Sequence, residues 1–391
     1  MKKHFYLNSH NEWDKLQEVI VGTSKNSTGC FFWKNEQKNI KSKKIEQALR
    51  IAKEAYPKWY IDEVEEDLSN LCSIFRKAGV KVLRPDPSNV GKIFKTTNWS
   101  GISNNVYNAR DLYLVVGNHL IESPSPIHWR FFEKDSYKKI FYKYLKNGFK
   151  WLNPPSPEIN YKIFTPINEL ETKEKKFYKK LTKGLTEKLH KLSDKEILFE
   201  AANTLRIGKD LLYLNSISGN TKGYNWLRNN LSGTYNVHQT KKIYKSSHID
   251  STVMCLKPGV VLLNSVRVNK KNCPTIFKKW KKIFHSDVAA VPDKELNFYK
   301  KVRLPIAKKL SRLGFINNIG EISSPWIGLN FLSLDKNNVI VDERQTSLIK
   351  VLEKNKFNVI TCKMRHMYTM QGGIHCSTLD TRRRSKLESH I

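Results

Sequence analysis

The fold is decided by the stretch Leu112-Tyr113-Leu114-Val115-Val116-Gly117-Asn118-His119-Leu120-Ile121-Glu122. Two apolar, partly β-branched runs flank Gly117-Asn118, and a two-residue connection with a glycine is typical of a β-hairpin. A second stretch has a similar form, with apolar runs at 331–334 and 339–342 around the turn residues 335–338. Each stretch predicts a pair of buried antiparallel strands.

Further apolar runs that end in turn residues lie at wide intervals along the chain. They predict buried strands at 18–22, 211–215 and 260–264. Amphipathic helical stretches lie between the strands, and the first and third are each followed by a strand-like run, at 80–83 and 357–361. These helical stretches are 61–78, 298–313 and 345–356. The pattern predicts a unit of strands plus one helix that repeats about five times.

A chain of 391 residues has room for two or three average domains or for one large domain built from repeats. No Gly/Ser-rich linker separates the units, and each unit alone buries little apolar surface. We therefore predict a single α/β domain over residues 1–391 in which the units close into a radial arrangement. The Lys/Glu-rich stretch 159–195 follows the stiff connector Pro154-Pro155-Ser156-Pro157 and is predicted to be a solvated helical insertion.

The composition is that of a globular protein with an excess of positive charge. Hydrophobic residues make up 39% of the chain, and 69 Lys and Arg against 36 Asp and Glu give a net charge of +33. Such a charge is typical of proteins that bind nucleic acid or anionic membranes. Here the lysines are spread along the whole chain, and no zinc-finger, basic-zipper or RNA-recognition motif accompanies them. We expect no specific nucleic-acid partner and no membrane partner.

The six cysteines are scattered and include no CxxC pair. This spacing argues against a disulfide framework and against a structural zinc site, and it favours a reducing compartment. The first twelve residues contain polar side chains before any stretch of signal-peptide length, and no window is long enough to span a membrane. The sequence therefore predicts a cytoplasmic protein.

Cys376 is the candidate nucleophile. It follows Gly372 and Gly373 and precedes the run Arg382-Arg383-Arg384. Glycines permit backbone turns that side chains forbid, and nearby cations favour the thiolate, which is the attacking form of a cysteine. The simpler interpretation of a lone cysteine is a small buried residue.

A second cluster, Ser246-Ser247-His248-Ile249-Asp250, supplies the groups that such a thiolate needs. A histidine titrates near neutrality and is able to donate a proton, and an aspartate is able to hold a cation. Taken alone, His248 is more often a hydrogen-bonded structural residue. His375 is interpreted as structural, because adjacent residues of an extended backbone point to opposite sides and it neighbours Cys376.

Six motifs occur in order along nearly the whole chain: Asn11-Glu12-Trp13-Asp14 with 18–22, Arg84-Pro85-Asp86-Pro87, 109–112 with 116–118, 199–203, 248–250, and 372–376 with 380–384. With these motifs the chain resembles the amidinotransferases related to arginine:glycine amidinotransferase, within the superfamily of guanidino-group-modifying enzymes that includes the arginine deiminases. The resemblance implies a five-bladed α/β propeller, or pentein, built from pseudo-fivefold repeated modules. It also implies an active site at the axis where the blades meet.

The resemblance implies a role for individual residues. Cys376 matches the nucleophile that becomes amidinated, and His248 matches the general acid and base. Glu200 stands where the family places the carboxylate that orients this histidine. Asp111 and Asp250 match the residues that grip a guanidinium group.

Three further residues match positions around the donor. Arg267 matches a residue that binds the donor's carboxylate, and Ser323 and Ser324 match a serine pair near the substrate. The implied partners are small molecules, L-arginine and an amine acceptor, and a homodimer is compatible with the resemblance. No metal and no organic cofactor is implied.

The implied reaction explains why these residue types are needed. A guanidinium resists attack because its charge is delocalised, and paired carboxylates fix its planar donors in a bidentate way. Attack by the Cys376 thiolate, with a proton from His248 for the departing amine, releases ornithine and leaves an S-amidino-cysteine. An acceptor amine then takes the amidino group. If water attacks instead, the product is citrulline and the enzyme is a deiminase.

Three positions depart from the usual family pattern. The family usually has aspartate where Glu200 lies, but the deiminase branch has glutamate, so we expect activity to survive. A further acid usually stands where Asn203 lies, and its loss removes a charge that supports the site. The glycine-using enzymes carry a bulky apolar residue where Ser247 lies, so this chain has room for a larger acceptor amine.

These observations favour an amidinotransferase that moves the amidino group of L-arginine to a primary amine. A hydrolase that resembles arginine deiminase is the second interpretation. A basic nucleic-acid-binding scaffold is the third, motivated by the net charge of +33 and by Asn203.

Overall fold

The computed structural model describes residues 6–36, 40–159, 163–166 and 190–391. Its α-helices within these ranges are Ser42–Lys53, Lys58–Lys77, Asp135–Phe141, Thr221–Leu231, Asp293–Phe298, Leu304–Arg312 and Thr346–Lys354. A π-helical turn, Tyr299–Arg303, joins Asp293–Phe298 to Leu304–Arg312. The described strands form five three-stranded sheets, one four-stranded sheet and one two-stranded sheet.

The five three-stranded sheets share one topology. In each sheet the central strand pairs antiparallel with one neighbour and parallel with the other. Written as antiparallel, central and parallel strand, the sheets are Thr378–Arg383, Leu16–Val21 and Lys81–Leu83; Tyr113–Val116, His119–Glu122 and Lys150–Leu152; Thr204–Ile207, Asp210–Leu214 and Asn236–Thr240; Val253–Lys257, Val260–Asn264 and Lys281–His285; and Leu332–Ser333, Asn338–Asp342 and Asn358–Cys362. Their number matches the repeat predicted from the sequence.

Both predicted hairpins are confirmed. Tyr113–Val116 pairs antiparallel with His119–Glu122, and Leu332–Ser333 pairs antiparallel with Asn338–Asp342. Gly117 turns the first hairpin with a φ of +56°, and a Cβ at this position would meet the Tyr235 hydroxyl at 2.3 Å. This turn therefore requires glycine for both its backbone conformation and its close packing.

The connection from central to parallel strand explains how each sheet is covered. In four of the five sheets it carries at least one α-helix, whereas the connection from Val260–Asn264 to Lys281–His285 carries only the 3-10 turn Thr275–Phe277. The predicted unit of strands plus one helix is therefore right for four units and wrong for one. The helix Lys58–Lys77 buries one face at helical spacing, with Tyr60, Val64, Leu68, Leu71 and Phe75 at most 3% exposed. Burial of each such side chain contributes about 1.5–3 kcal/mol.

The two ends of the chain meet in one sheet, because Leu16–Val21 pairs with Thr378–Arg383. Val19, Ile20 and Val21 of this central strand are 0% exposed. Outside the five units lies a four-stranded sheet, which the sequence reasoning did not identify. Its strands, in order, are Ile316–Asn317, Phe31–Lys34, Trp99–Ile102 and Ile93–Lys95.

The predicted helical insertion 159–195 lies largely outside the described residues. Its described segments Phe164–Pro166 and His190–Leu192 pair as antiparallel strands, so a helical prediction is wrong for these two segments. Within the described part of the chain, no helix combines the length and the apolar character that crossing a membrane requires.

Candidate active site

Five turns carry the candidate residues, and each turn precedes the antiparallel strand of one three-stranded sheet. For example, Asp111 ends the 3-10 turn that leads into Tyr113–Val116, and Glu200 caps the turn that leads into Thr204–Ile207. The turns contribute Asp111, Glu200, His248 with Asp250, Asn330, and Cys376. The site is thus assembled from equivalent positions of the repeated unit.

Cys376 is held firmly by its backbone and is only 3% exposed. Its N–H donates to Oδ1 of Asn330 at 2.8 Å, and its carbonyl accepts from the N–H of Arg110 at 3.2 Å. Its Sγ lies 3.4 Å from Oδ2 of Asp250, to which the thiol donates. The nucleophile and one of the predicted guanidinium-binding residues are therefore in contact.

The two glycines before Cys376 are needed for a reason other than the predicted one. Neither Gly372 nor Gly373 has a positive φ; the residue that does is Gln371, at +59°. A Cβ on Gly372 would meet Oδ1 of Asn108 at 2.0 Å, and one on Gly373 would meet the side chain of Asn330 at 2.8 Å. The glycines thus permit close approach of the turn to its neighbours.

The imidazole of His248 lies between two carboxylates. Nε2 is 2.5 Å from Oε2 of Glu200, and Nδ1 is 3.6 Å from Oδ1 of Asp111. Burial lowers the pKa of His248, but the negative charges of Asp111, Glu200 and Asp250 outweigh it and raise the pKa to about 9. His248 is therefore an imidazolium at neutral pH and is able to act as an acid.

Arg130 joins the two carboxylates that face His248. Its Nη1 donates to Oδ2 of Asp111 at 2.5 Å and lies 3.3 Å from Oε1 of Glu200, which also accepts from the Ser125 hydroxyl at 2.9 Å. Burial opposes ionisation of Glu200, but Arg130 and His248 lower its pKa. Burial raises the pKa of Asp111, and its Oδ1 has no hydrogen-bond partner among the described residues.

His375 holds Asp250, and its predicted orientation is wrong. Its Nδ1 bonds Oδ2 of Asp250 at 2.8 Å, so His375 and Cys376 reach the same carboxylate oxygen. The two neighbours converge because residues 364–377 form turns rather than an extended strand. Although burial opposes it, the hydrogen bond from His375 lowers the pKa of Asp250 to about 2.

The predicted bidentate clamp therefore differs in detail. Oδ2 of Asp111 is taken by Arg130, and Oδ2 of Asp250 is taken by His375 and the Cys376 thiol. Each aspartate presents mainly its other oxygen to a bound guanidinium.

The expected activation of the thiol by the arginine run is wrong. Arg383 pairs with Asp380 at 2.7 Å, and Arg382 lies over the ring of Tyr6 at 4.8 Å. Burial, followed by the charges of Asp250 and Asp111, raises the pKa of Cys376 well above its usual range. The residue is a thiol in this structure, because its neighbours are anions rather than cations.

Arg267 and Ser324 are brought together, whereas Ser323 contributes differently. Nη2 of Arg267 donates to the Ser324 hydroxyl at 2.9 Å, and Nη1 donates to Thr252 at 2.8 Å. The guanidinium lies 3.7 Å from the ring centroid of Tyr244. Among the described residues, no carboxylate forms an ion pair with this buried cation, which therefore suits an anionic ligand. For Ser323, the hydrogen bond found is from its backbone N–H to the Tyr368 carbonyl at 3.0 Å.

Asn203 is a fully hydrogen-bonded structural residue. Its Nδ2 donates to the Leu214 carbonyl at 2.8 Å and to the Ser216 hydroxyl at 2.9 Å, and its Oδ1 accepts from Ser218 at 2.8 Å. These partners need an amide and not a charge. Ser247, whose small size predicts a larger acceptor, is half-buried beside His248.

No group of three or more His, Cys, Asp or Glu side chains is arranged to hold a metal ion in the ranges that the structure describes. All six cysteines are free. The absence of a cofactor stays a prediction.

Sequence reasoning missed Asn330, Arg130 and the contact of His375 with Asp250. Asn330 directly precedes a predicted strand, as Asp111 precedes its own, so the repeat carried a signal for it. Arg130 lies in a 3-10 turn outside the repeated positions, and no sequence pattern marks it.

No protein-family model matches the chain. It is 35% identical over 380 residues to "Inosamine-phosphate amidinotransferase 1" of Streptomyces griseus, covering 96% of this chain and 97% of the relative. It is 32% identical over 391 residues to "Glycine amidinotransferase, mitochondrial" of Gallus gallus, covering 98% and 84%. It is 30% identical over 386 residues to "L-arginine:L-lysine amidinotransferase" of Pseudomonas savastanoi pv. phaseolicola, covering 98% and 96%.

Solved structures give the same result. The structure of inosamine-phosphate amidinotransferase from Streptomyces griseus matches with a TM-score of 0.76 and 33% identity, covering 98% of this chain and 99% of that one. DDAH from Pseudomonas aeruginosa matches with a TM-score of 0.53 at 10% identity, covering 93% and 99%, which shows a shared fold alone. The fold is thus the mixed α/β pentein fold with several small sheets. From these likenesses the chain belongs to the amidinotransferase family, as an enzyme that transfers amidino groups.

Proposed function

We propose that the protein moves the amidino group of L-arginine, through a covalent S-amidino-cysteine on Cys376, to the primary amine of an acceptor, with release of ornithine. The observation that carries this proposal is the 3.4 Å contact of the Cys376 thiol with Asp250, in a site where His248 lies between Glu200 and Asp111. A relative named L-arginine:L-lysine amidinotransferase supports arginine as the donor.

The donor itself activates the nucleophile in this proposal. The charges of Asp250 and Asp111 raise the pKa of the Cys376 thiol. A guanidinium bound to both carboxylates offsets these charges, so the pKa of the thiol falls when the donor binds. The thiol proton leaves to solvent, because His248, with its pKa raised to about 9, already carries a proton.

The transfer then proceeds in two steps. The thiolate attacks the guanidinium carbon, and the imidazolium of His248 protonates the departing nitrogen, so that the C–N bond breaks and ornithine leaves. Cys376 now carries the amidino group and His248 is neutral. His248 next removes a proton from the acceptor's ammonium group, the amine attacks the amidino carbon, and the Cys376 thiolate leaves.

Arg267 binds the donor's α-carboxylate. Its guanidinium is 8% exposed, and its hydrogen bonds are to neutral hydroxyl groups, including that of Ser324. A carboxylate is the anion that such a fork binds in two parallel hydrogen bonds. Donor binding would thus use a cation at one end of arginine and two anions at the other.

The acceptor is an amine larger than glycine. Ser247 leaves room beside the catalytic histidine, where the glycine-using enzymes of the family carry a bulky apolar residue. The relatives named for inosamine phosphate and for lysine are consistent with this size.

We further infer that residues 1–391 act as one domain, with the five three-stranded sheets as blades around one axis. Three observations support this arrangement: the common topology of the sheets, the pairing of Leu16–Val21 with Thr378–Arg383, and the origin of the site residues in five equivalent turns.

The proposal is tested by incubating the protein with L-arginine and no acceptor, followed by measurement of its intact mass. We expect one added amidino group on Cys376, one equivalent of ornithine, and no adduct in a Cys376→Ala variant. Steady citrulline formation would instead identify a hydrolase, and neither adduct nor ornithine would refute the proposal. Screening glycine, longer diamines and amino sugars as second substrates then identifies the acceptor. No contact in the described site favours hydrolysis or nucleic-acid binding.

A further inference from the structure

Arg130 is the one cation that touches both carboxylates facing His248. It is 8% exposed and lies in the 3-10 turn His128–Arg130. A single nitrogen, Nη1, is 2.5 Å from Oδ2 of Asp111 and 3.3 Å from Oε1 of Glu200. Asp111 is proposed to bind the donor, and Glu200 is proposed to orient the histidine, so one guanidinium connects two different functions.

The remaining donors of Arg130 fix its own position. Nη2 donates to the Asn108 carbonyl at 3.3 Å, and Nε donates to Oε2 of Glu133 at 3.2 Å. A planar fork with several N–H groups is able to make all these bonds at once, which a lysine is not. The turn that carries Asn108 also carries Asp111, so the fork clamps backbone and side chain together.

We propose that Arg130 is a positioning residue that reserves Oδ1 of Asp111 for the donor and couples donor binding to the general acid. Arg130 occupies Oδ2 of Asp111, whereas Oδ1 faces His248 at 3.6 Å and has no hydrogen-bond partner among the described residues. The inference rests on the proposed arginine-dependent transfer for its role in catalysis, but not for the electrostatic coupling itself.

The charges around the imidazole give this coupling a direction. His248 is faced by the anions Glu200, Asp111 and Asp250, and Arg130 is the cation among their partners. Glu133 adds little negative charge at neutral pH, because burial raises its pKa to about 8. Removing Arg130 leaves the carboxylates without their cation, so the imidazolium should release its last proton at a higher pH.

The test follows the titration of the His248 ring by NMR in protein with labelled histidine, without any substrate. The signal is assigned by its loss in a His248→Asn variant. We expect Arg130→Gln to move the midpoint upward by on the order of one pH unit. Arg130→Lys keeps the charge, so its midpoint should stay near that of the wild type. An unchanged midpoint in Arg130→Gln would overturn the proposal.

A matched control is Arg365→Gln. Arg365 also bridges two carboxylates, Glu66 at 2.5 Å and Asp67 at 2.8 Å, neither of which contacts His248. Its loss should leave the midpoint unchanged. If Arg130→Gln does not fold, the same change is made in an Asp111→Asn background, which leaves no unpaired carboxylate at position 111. The upward shift relative to Asp111→Asn alone is still expected.

The second readout is turnover. Arg130→Gln should raise KM for arginine by tenfold or more at neutral pH, since Asp111 then takes up a proton, and KM should recover as the pH rises. A KM that is raised equally at every pH would point to a merely structural role and contradict the coupling. If the wild type releases no ornithine, the proposed function fails, while the titration of His248 still decides the role of Arg130.

Discussion

The thiol of Cys376 donates to Oδ2 of Asp250 at 3.4 Å, and the N–H of His375 reaches the same oxygen at 2.8 Å. The nucleophile is therefore bonded to an anion in the absence of donor. Since a nearby negative charge disfavours a thiolate, reactivity at Cys376 should depend on what neutralises Asp250.

Replacing Asp250 by Asn should separate thiol ionisation from catalysis. Loss of the negative charge lowers the pKa of Cys376, which burial, Asp250 and Asp111 raise in the wild type. The pH midpoint for alkylation of Cys376 by iodoacetamide should thus fall by about one unit or more, while transfer from arginine is lost with the clamp. The rate is corrected with a Cys376→Ala variant. Asp287→Asn, at an exposed position, serves as the control. An unchanged or raised midpoint would contradict this account.

The pH profile should report the pair of Glu200 and His248. The folded-state pKa of His248 is raised to about 9, with Asp111 and Glu200 as the largest raising contributions. Glu200→Gln removes one of these charges, so the pKa falls and the alkaline limb of kcat/KM moves to lower pH. Glu200→Asp keeps the charge and should retain the limb near its wild-type position with a lower rate. Equal limbs in wild type and Glu200→Gln would show that this limb does not belong to His248.

Arg267 should discriminate between donors with and without a carboxylate. Loss of a hydrogen bond to a charged group costs about 1.5–3 kcal/mol, so Arg267→Gln should raise KM for arginine on the order of tenfold or more. Agmatine, which lacks the carboxylate, should be affected much less. Ser324→Ala should have a smaller effect in the same direction, because its hydroxyl accepts from Arg267 at 2.9 Å. Ser323→Ala is the matched control, and equal effects of the two serine variants would contradict the assignment.

Restoring an acid at position 203 should destabilise the protein. Asn203 donates to the Leu214 carbonyl and the Ser216 hydroxyl, and a carboxylate has no N–H for either. Asn203→Asp should lower the free energy of unfolding by about 1–3 kcal/mol, measured by urea denaturation. Asn230 also donates to a carbonyl, that of Trp226, but is exposed, so Asn230→Asp should change stability little. Similar losses in both variants would contradict a special role for the buried amide.

Much of the repeat was readable from local patterns. The run Val260–Asn264 is a strand with the predicted bounds, and the strand predicted at 18–22 differs from Leu16–Val21 by only a few residues. Such runs are recognisable because burial selects the same apolar residue types wherever a central strand is covered. The four-stranded sheet was not recognisable, since Ile316–Asn317 and Phe31–Lys34 are far apart in sequence and short.

The chemistry divides in the same way. The sequence by itself determined the residue types of the site: a cysteine in a glycine-containing turn, a histidine two residues before an aspartate, and further acids before strands. Only the tertiary structure decided their electrostatic state. The arginines near Cys376 in sequence pair elsewhere, and Asp250 and Asp111 lie beside it instead, because charge acts through distance in space and not along the chain. For the same reason Arg130 became visible only when the turns that carry it, Asp111 and Glu200 were brought within hydrogen-bonding distance.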